Sequence, residues 1–138
     1  MQPIIIFLDD NLELRELLQS IVEDRLQVNC AGYSSVYELK NATSTALQSQ
    51  IAVLDLELGF KQPSGIDAYN WLVENHYAGH VFFLTGHGQS NPLVESAAKF
   101  GATIWEKPIS SSQIMAHFKK ALATSKAPEP ITLSKDAL

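Results

Sequence analysis

Short apolar segments rich in β-forming residues alternate along this chain with segments of helical periodicity. The apolar segments are PIIIFL (3–8), VNCAGY (28–33), IAVL (51–54), VFFL (81–84) and TIW (103–105). At least three of them are apolar without interruption, which is typical of strands that are covered on both faces. This alternation narrows the choice of fold more than any other feature of the sequence.

The intervening segments carry the spacing and the start signals of helices. Apolar residues recur every three or four positions, in the first segment at Leu14, Leu17, Leu18, Ile21 and Val22. Ser35 and Ser110 fit the capping box, and Asn91-Pro92 is typical of a helix start. The helix predicted over 35–47 is the weakest, because its second half is poor in helix formers. Five strands alternating with five helices predict a parallel sheet with helices on both faces.

Length and composition indicate one folded domain. The chain has 138 residues, of which 46% are hydrophobic and 18% are charged, and this balance argues against disorder. The pattern of strands and helices stops near residue 125, where SKAPEPITLSKDAL begins. We therefore expect a domain over residues 1–124 and a linker or disordered C-terminal tail over residues 125–138.

Charge and cysteine usage exclude several classes of function. The formal net charge is −5, and only Lys119 and Lys120 are adjacent basic residues, so no nucleic-acid footprint is present. Cys30 is the single cysteine, which excludes a disulfide framework and a cysteine-based metal site. The first apolar run is too short, and too soon followed by acids, for a signal peptide or a membrane span. We expect a cytoplasmic protein that binds neither nucleic acid nor membrane.

Charged and polar residues stand where four of the five predicted strands end. Asp9 and Asp10 follow the first strand, Asp55 the third, Thr85 the fourth and Lys107 the fifth. In a parallel α/β sheet, ligands bind beyond the carboxyl ends of the strands. Three carboxylates, one hydroxyl and one ammonium group are therefore expected to meet at one edge of the sheet.

The chemistry of such a cluster is that of phosphoryl transfer. Clustered carboxylates repel one another, which raises a pKa or recruits a cation, and Mg²⁺ prefers oxygen ligands of this type. A lysine and a hydroxyl facing a metal-bound carboxylate form a clamp for a phosphoryl group. A carboxylate can itself be the nucleophile and become an aspartyl phosphate.

Four motifs resemble the signatures of the response-regulator receiver domain of two-component signalling. They are IIIFLDDN, IAVLDLEL, VFFLTG and WEKP, and the resemblance covers roughly residues 3–124. Each motif alone is weak, whereas the four in this order are specific. The resemblance implies a flavodoxin-like (βα)5 sandwich, with a five-stranded parallel sheet of order 2-1-3-4-5 and helices on both faces.

The resemblance also implies roles for individual residues. Asp55 would be the phosphoacceptor, and Mg²⁺ would be held by Asp9, Asp10, Asp55 and the backbone carbonyl of Glu57. Thr85 would bind a phosphoryl oxygen and signal the change. Lys107 would pair with the phosphate and precede a cis peptide bond to the following proline.

The implied partners are proteins. A sensor histidine kinase or a phosphotransfer protein would supply the phosphoryl group, and a downstream protein would bind the face formed by the fourth helix, fifth strand and fifth helix of this count. A dimer that depends on phosphorylation is a further hypothesis. The protein would be a signalling phosphoacceptor that promotes only its own phosphorylation and dephosphorylation, and not an enzyme.

The sequence departs from the usual family pattern at several positions. Gly59 stands where a proline is usual, and the loop over 59–65 is two residues longer than usual. Ile104 replaces the usual Tyr or Phe, so we hypothesise that the signal passes through residues 59–65 and through the loop after Thr85, which contains His87. Trp71 and Trp105 are predicted to be packing residues, and Trp105 is the better candidate of the two for a partner surface.

Two other functions are compatible with parts of the sequence. A haloacid-dehalogenase-like phosphatase also uses an Asp nucleophile, and the DLE segment at Asp55 imitates its first motif. That family places its acidic pair last, whereas Asp9 and Asp10 come first here. The second alternative is a pseudo-receiver that acts only as a binding module, against which the complete set of acids, Thr85 and Lys107 argues.

Overall fold

Five strands form one parallel sheet within residues 4–86 and 91–124, the part of the chain that the computed structural model describes. The strands are β1 (Ile5–Leu8), β2 (Cys30–Tyr33), β3 (Ile51–Asp55), β4 (His80–Thr85) and β5 (Thr103–Glu106). The helices are α1 (Leu12–Leu26), α2 (Val36–Asn41), α3 (Thr43–Gln48), α4 (Gly65–Glu74), α5 (Pro92–Ala98) and α6 (Ser111–Thr124). The tail over 125–138 lies outside the described residues.

The strand order is β2-β1-β3-β4-β5, and every pairing is parallel. Successive residues of β1 point to opposite faces, so Ile5 and Phe7 pack in one core and Ile6 and Leu8 in the other. The core around Phe7 is covered by α1 and α6, and the core around Leu8 by α2, α3, α4 and α5. Both faces are buried, which is why the strands are apolar without interruption. The predicted flavodoxin-like fold is confirmed.

The second predicted helix is not continuous, so the described residues contain six helices instead of five. It divides into α2 and α3 at Ala42, whose backbone is not helical (φ −105°, ψ 40°). The hydroxyl of Thr43 donates a hydrogen bond to the carbonyl of Lys40 at this break. Asn, Ser and Thr side chains compete for backbone groups in this way, which weakens a helix interior.

The helix starts follow the caps expected from the sequence. Ser35 Oγ accepts a hydrogen bond from the Glu38 N–H at 3.1 Å. Asn91 Oδ1 accepts one from the Leu93 N–H at 2.8 Å, with proline at the first helical position. Ser64 forms a full capping box at the start of α4, which the sequence reading did not predict. Local signals therefore set the starts of α2, α4 and α5.

Trp105 is a core residue, which confirms its interpretation as a packing residue; its alternative interpretation as a candidate partner surface is wrong. Its side chain is 4% exposed and stacks on Phe82, with ring centroids 4.7 Å apart and planes 6° apart. His117 of α6 packs edge-on against the same indole. Ile104 points to the opposite face of β5 and packs in the core that contains Phe83. Helix α6 covers the tryptophan.

Candidate functional site

The acids, the threonine and the lysine lie together at the carboxyl edge of the sheet. Asp55 and Thr85 are the last residues of β3 and β4, Asp9 follows β1, and Lys107 follows β5. The parallel pairings bring these strand ends level with one another. Asp9, Asp55 and Thr85 are each 2% exposed or less, while Asp10 is exposed. The predicted convergence of these residues is what the structure shows.

Lys107 bridges two buried carboxylates. Its Nζ lies 3.1 Å from Asp55 Oδ2 and 3.2 Å from Asp9 Oδ2. The contact with Asp55 is also a hydrogen bond. A buried carboxylate at the end of an apolar strand is costly unless it is paired, and Lys107 provides the pairing.

The first turn of α1 holds Asp9 in place. Asp9 Oδ1 accepts a hydrogen bond from the Asn11 N–H at 2.9 Å, and its carbonyl accepts one from Arg15 at 2.7 Å. The helix itself is capped by Asn11, whose Oδ1 accepts from the Leu14 N–H at 3.1 Å. Asn11, and neither Asp9 nor Asp10, is therefore the N-cap of this helix.

The three aspartates form a group that could hold a metal ion. One carboxylate oxygen from each of Asp9, Asp10 and Asp55 lies within 4.8 Å of the others. Asp9 Oδ2 is buried and, although it is paired in charge with Lys107, accepts no aligned hydrogen bond from the described residues. Such all-oxygen donor sets suit hard divalent cations.

Burial and crowding change the acidity of the site. Burial, and then the negative charge of Asp9, raise the pKa of Asp55 from 3.8 to about 7, although Lys107 acts in the opposite direction. Burial would lower the pKa of Lys107, but the charges of Asp55 and Asp9 outweigh it and the pKa lies above its usual value. The lysine therefore stays charged, while Asp55 holds its proton more tightly than an ordinary carboxyl group.

The Glu57 side chain is a part of the site that sequence reasoning missed. Its Oε2 and Oε1 accept hydrogen bonds from the Thr85 hydroxyl at 3.0 and 3.3 Å, and Oε1 also accepts one from the Gly86 N–H at 3.2 Å. Only the backbone carbonyl of Glu57 was assigned from the sequence. An available signal was its position two residues after Asp55, since alternate residues of an extended segment share a side.

The loop after Asp55 is held close to the site by tight backbone geometry. Gly59 has φ 112°, a conformation that favours glycine, and its carbonyl accepts from the Gln62 N–H at 3.2 Å. Gly65 begins α4 against β3, where a Cβ atom would lie 2.4 Å from the Asp55 carbonyl oxygen. Phe60 lies on this loop and is 88% exposed.

The remaining predicted site features are the peptide bond after Lys107 and the position of His87. The Lys107–Pro108 peptide bond is cis, as the family resemblance implied. The Lys107 N–H donates to the Thr85 carbonyl at 2.8 Å, which joins the ends of β4 and β5. His87 falls within residues 87–90, which lie outside the described part of the chain.

A family model for the response regulator receiver domain matches residues 5–119 of this sequence. The chain belongs to the response regulator receiver domain family. Receiver domains are signalling modules of two-component systems, and membership implies interaction with kinases or phosphotransfer proteins. None of the helices in the described part of the chain is long and apolar enough to cross a bilayer.

Solved receiver domains share this fold. The receiver domain of NtrX from Brucella abortus is 24% identical with a TM-score of 0.74, over 88% of this chain and 99% of that one. A receiver domain protein from Clostridium thermocellum is 22% identical with a TM-score of 0.71, over 86% and 93%. A CheY-like protein from Methanospirillum hungatei JF-1 is 15% identical with a TM-score of 0.72, over 89% and 95%. No curated protein matches the chain.

Proposed function

We propose that this receiver domain accepts a phosphoryl group on Asp55 from a phosphohistidine of a sensor histidine kinase or a phosphotransfer protein. The observation that carries the proposal is the Lys107 ammonium group, 3.1 Å from Asp55 Oδ2 and 3.2 Å from Asp9 Oδ2. A buried carboxylate at a strand end, with a fixed cation beside it, is arranged to receive and neutralise an anionic group.

The transfer would exchange one bond to phosphorus for another. An Asp55 carboxylate oxygen attacks the phosphorus atom, the P–N bond to the donor imidazole breaks, and its electron pair returns to the ring nitrogen, which takes up a proton from water. The product is an aspartyl phosphate and a neutral histidine. Lys107, already in contact with Asp55, can follow the negative charge onto a phosphoryl oxygen. The Thr85 hydroxyl and the Gly86 N–H are the nearby donors for the others.

Asp55 must be ionised to act as the nucleophile. Its pKa of about 7 leaves a large protonated fraction at neutral pH when no metal ion is bound. The cluster of Asp9, Asp10 and Asp55, together with the carbonyl of Glu57, would hold Mg²⁺. The ion would neutralise charge at the site and favour the ionised carboxylate.

Phosphorylation would act by shifting a two-state equilibrium. The new charge and its hydrogen bonds to Thr85 favour one arrangement of the strand ends over another. The downstream partner would bind the face formed by α5, β5 and α6, and a phosphorylation-dependent dimer is a further part of the proposal. The receiver would occupy residues 1–124, with residues 125–138 as a linker or tail, in the cytoplasm.

Mass spectrometry tests the proposal directly. Incubation with acetyl phosphate and Mg²⁺ should add about 80 Da, the mass of one phosphoryl group, to the wild type. The Asp55→Asn variant should gain nothing, and a chelator should suppress labelling of the wild type. Labelling that persists in Asp55→Asn would overturn the acceptor assignment, and turnover of a generic phosphate ester would indicate a phosphatase. A wild type that is never labelled would be a binding module.

A further inference from the structure

The Glu57 carboxylate occupies donors that a phosphoryl group would need. Both of its oxygens accept from the Thr85 hydroxyl, at 3.0 and 3.3 Å, and one also accepts from the Gly86 N–H at 3.2 Å. A hydroxyl and a backbone amide converging on a carboxylate form the type of cradle that also suits phosphoryl oxygens. An internal anion thus already sits beside the proposed acceptor.

The backbone around Glu57 aims its side chain at this position. The Glu57 N–H donates to Asp55 Oδ1 at 3.3 Å. The preceding residue, Leu56, is fully buried and bonded on both sides, from its N–H to the Leu84 carbonyl at 2.9 Å and from the Gly65 N–H to its carbonyl at 3.1 Å. These bonds hold the main chain next to Glu57, so rotation of the Glu57 side chain is the simplest way to release the donors.

We infer that the Glu57 carboxylate is an internal competitor for the phosphoryl subsite. This carboxylate must move away from Thr85 and Gly86 before Asp55 can be phosphorylated. This inference rests on the proposed function. It makes Glu57 a residue that sets the rate and the apparent affinity for phosphoryl groups. The apparent affinity for a phosphoryl group is the intrinsic affinity multiplied by the fraction of molecules in which the subsite is open. A variant whose side chain at position 57 cannot close the subsite should therefore bind a phosphoryl group more tightly.

Occupancy of the donors must be separated from the charge of Glu57. Removing the carboxylate in Glu57→Ala opens the subsite and also removes a repulsive charge. Glu57→Asp keeps the charge but is one methylene shorter and cannot hold the same contacts with Thr85. Glu74 is an exposed acid at the end of α4, and Glu74→Ala controls for a change in net charge elsewhere.

Two measurements on the full chain test the inference. Calorimetry gives the affinity for beryllofluoride, a phosphoryl analogue, at fixed Mg²⁺, and intact mass gives the rate of labelling by acetyl phosphate. Glu57→Asp and Glu57→Ala should both bind beryllofluoride about tenfold more tightly than the wild type, which corresponds to about 1.4 kcal/mol. Both should also be labelled faster, while Glu74→Ala matches the wild type. Circular dichroism confirms that each variant is folded.

The outcomes distinguish the inference from the proposed function. If Glu57→Asp behaves as the wild type and only Glu57→Ala binds beryllofluoride more tightly and is labelled faster, the charge of Glu57 alone is responsible. The inference that Glu57 competes for the subsite is then wrong. If the wild type is labelled on Asp55 and neither variant changes, the inference fails while the proposed function stands. If only the Glu57 variants are labelled, the inference is confirmed, and Glu57 blocks phosphorylation of the wild type. If no variant is labelled, the proposed function fails and the inference with it.

Discussion

Replacing Asp55 by Asn should stabilise the metal-free protein at and above neutral pH. Asp55 is 2% exposed, and its pKa is raised from 3.8 to about 7 by burial and by Asp9, against the influence of Lys107. A raised pKa means that the folded protein disfavours the charged carboxylate relative to the unfolded chain. Asparagine has a similar shape and no charge, so the variant should escape this cost.

The size and the sign of the effect follow from the same values. At 1.36 kcal/mol for each pKa unit, a rise from 3.8 to about 7 sets an upper limit of about 4 kcal/mol at pH 8. Between those two pKa values the folded state binds more protons than the unfolded state, so wild-type stability increases as pH falls through 7. The advantage of Asp55→Asn should shrink to about 2 kcal/mol near pH 5.

Urea unfolding in the presence of a chelator measures both quantities. The free energy of unfolding of the wild type and of Asp55→Asn would be compared at about pH 8 and about pH 5. Asp24→Asn, at an exposed position of α1, provides a matched control and should change stability by no more than about 0.5 kcal/mol. An Asp55→Asn variant that is no more stable than the wild type at pH 8, or an advantage that does not shrink on acidification, would refute the reasoning.

Three further predictions concern other parts of the site. Gly65→Ala should lower the free energy of unfolding by more than about 2 kcal/mol, because its Cβ would lie 2.4 Å from the Asp55 carbonyl oxygen; a neutral result in urea would contradict this. Asp10→Asn should preserve or raise the melting temperature without metal and weaken Mg²⁺ binding in calorimetry, since Asp10 is one of three clustered acids; a marked loss of metal-free stability would show a structural role instead. In structures with and without beryllofluoride, Ile104 should keep its rotamer while residues 59–65 shift; a full change of rotamer at Ile104, with the largest surface change there, would exclude that route.

Much of the site could be predicted from the sequence because its residues stand at strand ends. The apolar runs before Asp9, Asp55 and Thr85 predict strands from local composition, and parallel strands place their carboxyl ends at one edge. In a parallel sheet, the acids and Lys107 therefore lie together at that edge. Capping residues such as Ser35 act within one turn of backbone, and for this reason they too could be recognised in the sequence.

Tertiary packing decided the features that depend on which surfaces meet. Trp105 is one residue from Ile104, and alternation along β5 predicts only that they face opposite sides; the depth at which the indole is buried depends on α6 covering it. The break at Ala42 lies in a segment of weak helix propensity, and Leu39 and Ala46 on either side of it are both fully buried. The Glu57 side chain accepts a hydrogen bond from Thr85, 28 residues away in the sequence, because β3 and β4 are neighbours in the sheet. Sequence acts locally on backbone preference, whereas contacts between distant segments exist only once the sheet and its helices have closed around the core.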